Sequence, residues 1–420
     1  MLDEHLLQFI WKHKLFDTSQ LITCQGEQLQ IINGGIHNHD EGPDFLEAKI
    51  RLNETIWAGH IELHILASDW FRHAHQKNKK YDNVILHVVY VQDRDICELP
   101  TLELKPLIPH DLLTRYRMLM ASQHSIACHT MIGKVDAFVK WQWQERMMIE
   151  RLQRKSEEVL QLIDNNNGHV EEAFYIHLLK YVGRKINKFL FEKLAEKLPL
   201  KVLVQNKNNL VYCEALLFGV AGFLQERHTD SYIQALQHEF TFLRNKYKLI
   251  VLDHKLWNFA RMRPAGFPTI SLALLAQLIH QSQHLITKLC NENDIDEVKK
   301  MLEVEAHSYW DTHYHLGKKS TGSKKKRWGK TQINLLLINV VIPFVFAQGK
   351  RTANEAWCDK ALQWLLLIPE EHNTITKTWQ SLQMPNNNAA QSQALIQLSK
   401  EYCEAKRCLE CAIGLKIIRK

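Results

Sequence analysis

Apolar residues along Leu6–Phe16 (LLQFIWKHKLF) recur at helical spacing and predict an amphipathic helix. Leu29–Ile32 predicts a short strand that ends at Gly34-Gly35. Phe45–Leu52 (FLEAKIRL) alternates apolar and polar positions, the period of a half-buried strand. Asn53-Glu54 suits a turn, and Ile56–Leu66 predicts the second arm of a hairpin. Ser68, followed by Asp69, is placed to start a helix running through WFRHAHQKNKK. Val84–Val91 (VILHVVYV) is apolar on both faces, as a central strand would be. The order helix, strand, strand, strand, helix, strand predicts an α/β domain over residues 1–110.

From Lys140 onward the period changes to that of long helices, with no repeat of fixed length. Residues 111–138 read as a connector and 139–420 as a mainly helical domain, so the fold class is α+β followed by a helical region. Ile333–Ala347 is apolar but short and carries Asn334, Asn339 and Pro343. A membrane span needs about 20 apolar residues, so this run predicts a buried helix or strand pair and no membrane partner. MLDEHLLQF has no basic stretch ahead of an apolar run, so the expectation is no secretory signal and a cytoplasmic location.

A formal charge of +7 over 420 residues is mild and permits a nucleic-acid partner without requiring one. Nine cysteines, an odd number spread through a long chain, suit reduced thiols or a metal better than a disulfide framework. Of 23 histidines, His37, His39, His60, His64, His73, His75 and His87 crowd into one stretch. The phosphate-binding GxxxxGK[ST] loop, the dinucleotide glycine pattern, the GxSxG elbow and the HExxH helix are all absent from the sequence. That disfavours an ATPase, a dehydrogenase, a serine hydrolase of that type and a zincin.

The sharpest chemistry is Gly42-Pro43-Asp44 followed by Gly59-His60-Ile61-Glu62-Leu63-His64-Ile65. On a strand, alternate side chains share a face. Ile61, Leu63 and Ile65 point one way, and His60, Glu62 and His64 the other. A hairpin would set Asp44 beside Glu62. Two carboxylates and a backbone carbonyl, that of Leu63, suit a hard cation such as Mg²⁺ or Mn²⁺. On a continuous helix His73 shares a face with Lys77 and diverges from His75, which leaves His73 as a secondary candidate near Glu62. His87, in a strand that looks buried, is expected to bond a backbone group. His37, His39, His60 and His64 form a minor zinc alternative.

The Pro-Asp pair and the Glu-x-basic step on the next strand resemble the core of PD-(D/E)XK phosphodiesterases. That resemblance implies Asp44 and Glu62 as metal ligands, Leu63 as a carbonyl ligand and nuclease activity. His64 stands where that superfamily normally has lysine, which fits a base, a third ligand or a domain that has lost catalysis. The chain as a whole resembles a bacterial family of unknown function. GPDFLEAKI, WAGHIELHILASDWFRHAH, YDNVILHVVY, RMRPAGFPTISLALLAQLI and YCEAKRCLECAIG carry that likeness.

Two further segments bear chemistry. In the loop 317–330, Lys324, Lys325, Lys326 and Arg327 form the densest positive run, and Trp328 is a stacking candidate for a nucleic-acid base. Cys403, Cys408 and Cys411 form C-x4-C-x2-C, a candidate for zinc or an iron–sulfur cluster, with Cys128 or Cys358 as a distant fourth ligand. If that segment is one helix, Cys403 lies off the face shared by the other two. The leading expectation is a Mg²⁺- or Mn²⁺-dependent nuclease with Asp44, Glu62 and His64 at its centre. Its rivals are a catalytically inactive nuclease-fold protein that binds nucleic acid or a protein partner, and a structural scaffold.

Overall fold

The computed structural model describes residues 3–96, 99–282 and 284–419. They form two compact units, Met1–Gln144 with Ser381–Met384 and Leu398–Lys420, and Glu145–Gln380 with Pro385–Gln397. The first unit holds a mixed sheet, and the second is almost wholly helical. The C-terminal residues 398–420, expected within the helical region, pack with the sheet-bearing unit.

The first unit opens with α1 (Glu4–Lys12), capped by Asp3, whose carboxylate accepts from the Leu6 amide at 2.8 Å. The apolar stripe Leu6, Leu7, Phe9, Ile10 and Trp11 is buried, and α1 packs on the sheet at β5. The strands are β1 (Leu21–Ile22), β2 (Gln28–Asn33), β3 (Ile36–His37), β4 (Phe45–Leu52), β5 (Thr55–Leu66), β6 (Val84–Val91) and β7 (Thr101–Glu103). The sheet order is β1-β2-β4-β5-β6-β7, with β3 also paired to β4. β1 to β5 pair antiparallel, whereas β5–β6 and β6–β7 are parallel. β6 is therefore central and buried along most of its length, as its unbroken apolar run requires.

Two local features set the register. Asn53 takes a left-handed conformation (φ 49°) in the tight turn between β4 and β5. Gly59 sits where a Cβ would come within 2.4 Å of the Asn83 carbonyl, so only glycine lets β5 lie this close to the start of β6.

The helix expected after Ser68 lasts one turn, α2 (Asp69–Arg72). Ser68 does not cap it, because its hydroxyl donates to Asp93 at 2.6 Å. Ala74 then takes a left-handed conformation (φ 58°), which a continuing helix cannot contain. Two short 3-10 turns, His75–Lys77 and Lys79–Tyr81, lead to β6.

In the second unit, α3 (Val170–Val182) and α4 (Arg184–Lys197) form a helical pair, and a large apolar core runs through the helices. Lys330–Arg351 is a continuous 22-residue helical run, long and apolar enough to cross a membrane, with 78% of its apolar window buried. A core helix passes the same length test. Its middle turn, Leu337–Val341, is a π turn just ahead of Pro343, whose missing N–H breaks the regular ladder.

Candidate functional site

The β4–β5 hairpin places the two carboxylates together. Asp44 immediately precedes Phe45, which pairs with Ile61. The Asp44 amide donates to Glu62 Oε2 at 3.0 Å, and the Leu63 amide donates to Asp44 Oδ2 at 3.0 Å. Gln8 of α1 donates to Asp44 Oδ1 at 2.7 Å. Leu63 thus enters the site through its N–H. Glu62 and His64 are both buried, at 5% and 1% exposure, so this side of β5 is an interior face.

Three imidazoles converge on that face. His64 Nε2 lies 3.6 Å from Glu62 Oε1, and His75 Nε2 lies 3.3 Å from the same oxygen. Neither nitrogen makes a hydrogen bond, although both are buried. One ligand nitrogen from each of His64, His73 and His75 falls within 4.8 Å of the others, the only such trio of His, Cys, Asp or Glu among the described residues. His73 and His75 do not diverge, because the helix ends before them and Ala74 reverses the backbone. His73 is exposed and stands at the mouth.

His87 does not bond a backbone group. Its Nε2 lies 2.7 Å from His64 Nδ1, so one ring must donate to the other. If His64 presents a bare Nε2 to Glu62, its proton sits on Nδ1 and His87 accepts it. Trp70 and Tyr81 wall the cluster, with the Tyr81 ring stacked on His75 at 3.9 Å.

Burial dominates the electrostatics. It raises both carboxylates, and Asp44 beside Glu62 raises the latter further. It lowers His64 to about 2, with help from His87, His75 and His73, and lowers His75 to about 4 and His87 to about 3. The distances alone would suggest His–Glu ion pairs. The imidazoles are instead held neutral, because desolvation outweighs the attraction. A divalent cation would reverse this balance, since it favours ionised carboxylates and bare imidazole nitrogens.

The other expected residues lie apart from this cluster. His60 is half-buried, and its Nδ1 accepts from the Glu47 amide at 3.4 Å. His37 and His39 contact each other, with ring centroids 4.4 Å apart, and His37 stacks on Phe45.

In the basic loop, Trp328 is 8% exposed and belongs to the helical core, so it presents no face to a base. Lys326 is buried too, donating to the carbonyls of Asp311 and Lys324 with its ammonium over the Tyr314 ring. Lys325 pairs with Glu305 at 2.6 Å, and Lys324 and Arg327 are exposed. The run is a structured edge whose alternate side chains point inward.

Cys403, Cys408 and Cys411 are not on one helix. A π turn ends at Cys403, a left-handed Lys406 follows, and the next helix starts at Ala412. Lys406 donates to the carbonyls of Met120 and Ser122, tying this turn to the segment before Cys128. Cys128 joins the group electrostatically. Burial pushes its thiol up to about 12, and the nearby Cys411 and Cys408 add to the shift. Cys358 instead points at the Phe346 carbonyl.

No curated protein and no solved structure matches the chain. Residues 4–374 match the family described as protein of unknown function (DUF2851). With the match extending from α1 through the sheet and most of the helical unit, the chain belongs to the DUF2851 family.

Proposed function

We propose that the first unit is a metal-dependent phosphodiesterase acting on nucleic acid, with its ion held by His64, His73 and His75 and Glu62 beside the first and last of them. The observation that carries the metal site is the pair of buried imidazole Nε2 atoms, free of hydrogen bonds and facing one Glu62 oxygen. The nuclease reading is supported by the strand order, in which an acidic hairpin leads through a short helix to a parallel central strand, as in the PD-(D/E)XK core.

Imidazoles with one carboxylate favour Mn²⁺, Fe²⁺ or Zn²⁺ over Mg²⁺, which prefers oxygen ligands. Such an ion, when bound, lowers the pKa of a water and offsets charge on a phosphate. Asp44 orients Glu62 through its amide, and His87 fixes the ring of His64. Trp70 and Tyr81 exclude water from the inner side. Cys128, Cys403, Cys408 and Cys411 form a proposed second, structural centre. Such a set of thiols suits either zinc or an iron–sulfur cluster. Iron and zinc analysis of the purified protein tests it, and the absence of both removes it.

A second reading, binding without cleavage, draws support from Asp44, both of whose oxygens are engaged by protein donors. Mn²⁺ calorimetry with parallel cleavage assays on DNA and RNA separates the two. Binding and cleavage that vanish together in a folded Glu62→Ala/His64→Ala variant support the enzyme. Binding without cleavage of any substrate supports the second reading. No uptake of Mn²⁺, Fe²⁺ or Zn²⁺ by the folded protein, with and without nucleic acid, sinks the metal site.

A further inference from the structure

The second unit contains a cavity of about 560 Å³ that owes nothing to the metal site. Its wall carries Lys155, Lys180, Arg184 and Lys188, against a single carboxylate, Glu158. Glu158 is already engaged by Arg154 at 3.3 Å, and Lys180 by Glu192 at 2.5 Å. Lys155, Arg184 and Lys188 form no ion pair among the described residues. Three cations thus share one concave wall without a direct ion pair.

The cavity is held in shape by the π turn. Pro343 has no N–H to give to the carbonyl of Asn339, four residues before it. That carbonyl meets His177 Nε2 at 3.2 Å, and the Asn339 side-chain oxygen accepts from Lys155 Nζ at 2.5 Å. The freed carbonyl thus holds His177, and the side chain of the same residue holds Lys155. Arg184 opens α4 and sits in the left-handed region (φ 50°). Its guanidinium lies against Gly266, where a Cβ would come within 2.9 Å of it. Gly266 belongs to the RMRPAGFPT segment, which the metal chemistry does not use.

Burial of an ammonium beside other cations is unfavourable unless an anion completes the site. The Lys155 pKa is lowered to about 7, by burial first and then by Arg151, with Glu371 and Glu158 opposing. A cavity of this size accepts a ligand of drug or nucleotide dimensions. Leu162, Tyr181 and Leu335 offer an apolar side for its uncharged part.

We propose that this cavity binds a small phosphorylated ligand, with its phosphate groups held by Lys155, Arg184 and Lys188. The test is calorimetry on the full chain with inorganic phosphate, pyrophosphate, AMP and ATP. EDTA is present so that the candidate ion of the first unit plays no part. Pyrophosphate or ATP is expected to bind, and Lys155→Met, Arg184→Ala and Lys188→Ala each to weaken binding tenfold or more. Lys188 is exposed, so its variant does not endanger folding. ATP binding well above pyrophosphate identifies a nucleotide, and equal binding identifies the diphosphate group alone. No binding by any of the four probes to the folded protein, or a smaller loss in every variant, overturns the proposal.

Discussion

In the first unit, Glu62, His64 and His75 face one another across an interior held neutral by burial, with imidazole nitrogens that bond nothing. In the second unit, Lys155, Arg184 and Lys188 face a cavity whose single lining carboxylate, Glu158, is paired with Arg154. The same force acts on the first cluster and on Lys155: desolvation opposes charge. The sign of the missing partner differs. The first cluster offers lone pairs and acids that a cation would satisfy, and the second offers ammonium and guanidinium donors that an anion would satisfy. Donors or lone pairs that converge on one space thus indicate the kind of ligand, even where sequence motifs do not.

The contrast breaks most readily at the cation side. Glu62→Ala with His64→Ala should cut Mn²⁺ affinity by about 100-fold or more, since removal of an outer partner alone typically costs 10–100-fold. Calorimetry reads this directly, and retained affinity would place the ion elsewhere. His87→Phe keeps the bulk but removes the acceptor that orients His64, so a loss in the range of about 10–100-fold is expected. If affinity is unchanged, His87 is only a core residue.

On the anion side, pH sharpens the comparison. Lys155 titrates at a lower pH in the folded chain than in the unfolded one, so the unfolded state binds more protons between about pH 7 and 10.5. Stability should therefore rise across that window in the absence of ligand. A bound anion restores the proton and flattens the rise. Sulfate, whose charge is constant over this range, should accordingly bind about tenfold more weakly at pH 8 than at pH 6 if the protonated form alone binds. The groups facing Lys155 are Arg151, Arg154, Glu158 and Glu371, with His177 held neutral by a pKa of about 4. Thermal melts over pH 6–10, with and without sulfate, decide this.

The smallest effect belongs to the loop that looked most suited to phosphate. Lys324→Ala, on an exposed edge, should change stability by no more than about 0.5 kcal/mol and leave pyrophosphate binding unaltered. A clear loss of anion affinity there would move the anion site to the loop.

Periodicity carried the sheet well. Phe45–Leu52 and Val84–Val91 form strands with the bounds their patterns imply, because alternation and a two-sided apolar run each match one strand environment. Asp44, Glu62 and His64 were visible because a hairpin of known register forces them together. His75 and His87 were not. A helix extrapolated from Ser68 turns His75 away, and no local signal marks Ala74 as the left-handed residue that ends it. His87 reads as one polar residue in a buried strand, and its partner lies on a neighbouring strand whose parallel pairing no short-range pattern specifies. Trp328 and Lys326 misled for the same reason. A charge run looks solvated until the packing beneath it is known.

The sequence by itself determined which residues are apolar, where strand and helix periods change, and which acids and histidines are close along the chain. Those properties are local and survive in any fold. Tertiary structure alone decided that two histidines meet at a reversed turn, that Cys128 joins a distant cysteine group, and that cations from three helical segments share one cavity. Each depends on contacts between segments far apart in the chain, and their geometry is set by core packing rather than by local preference.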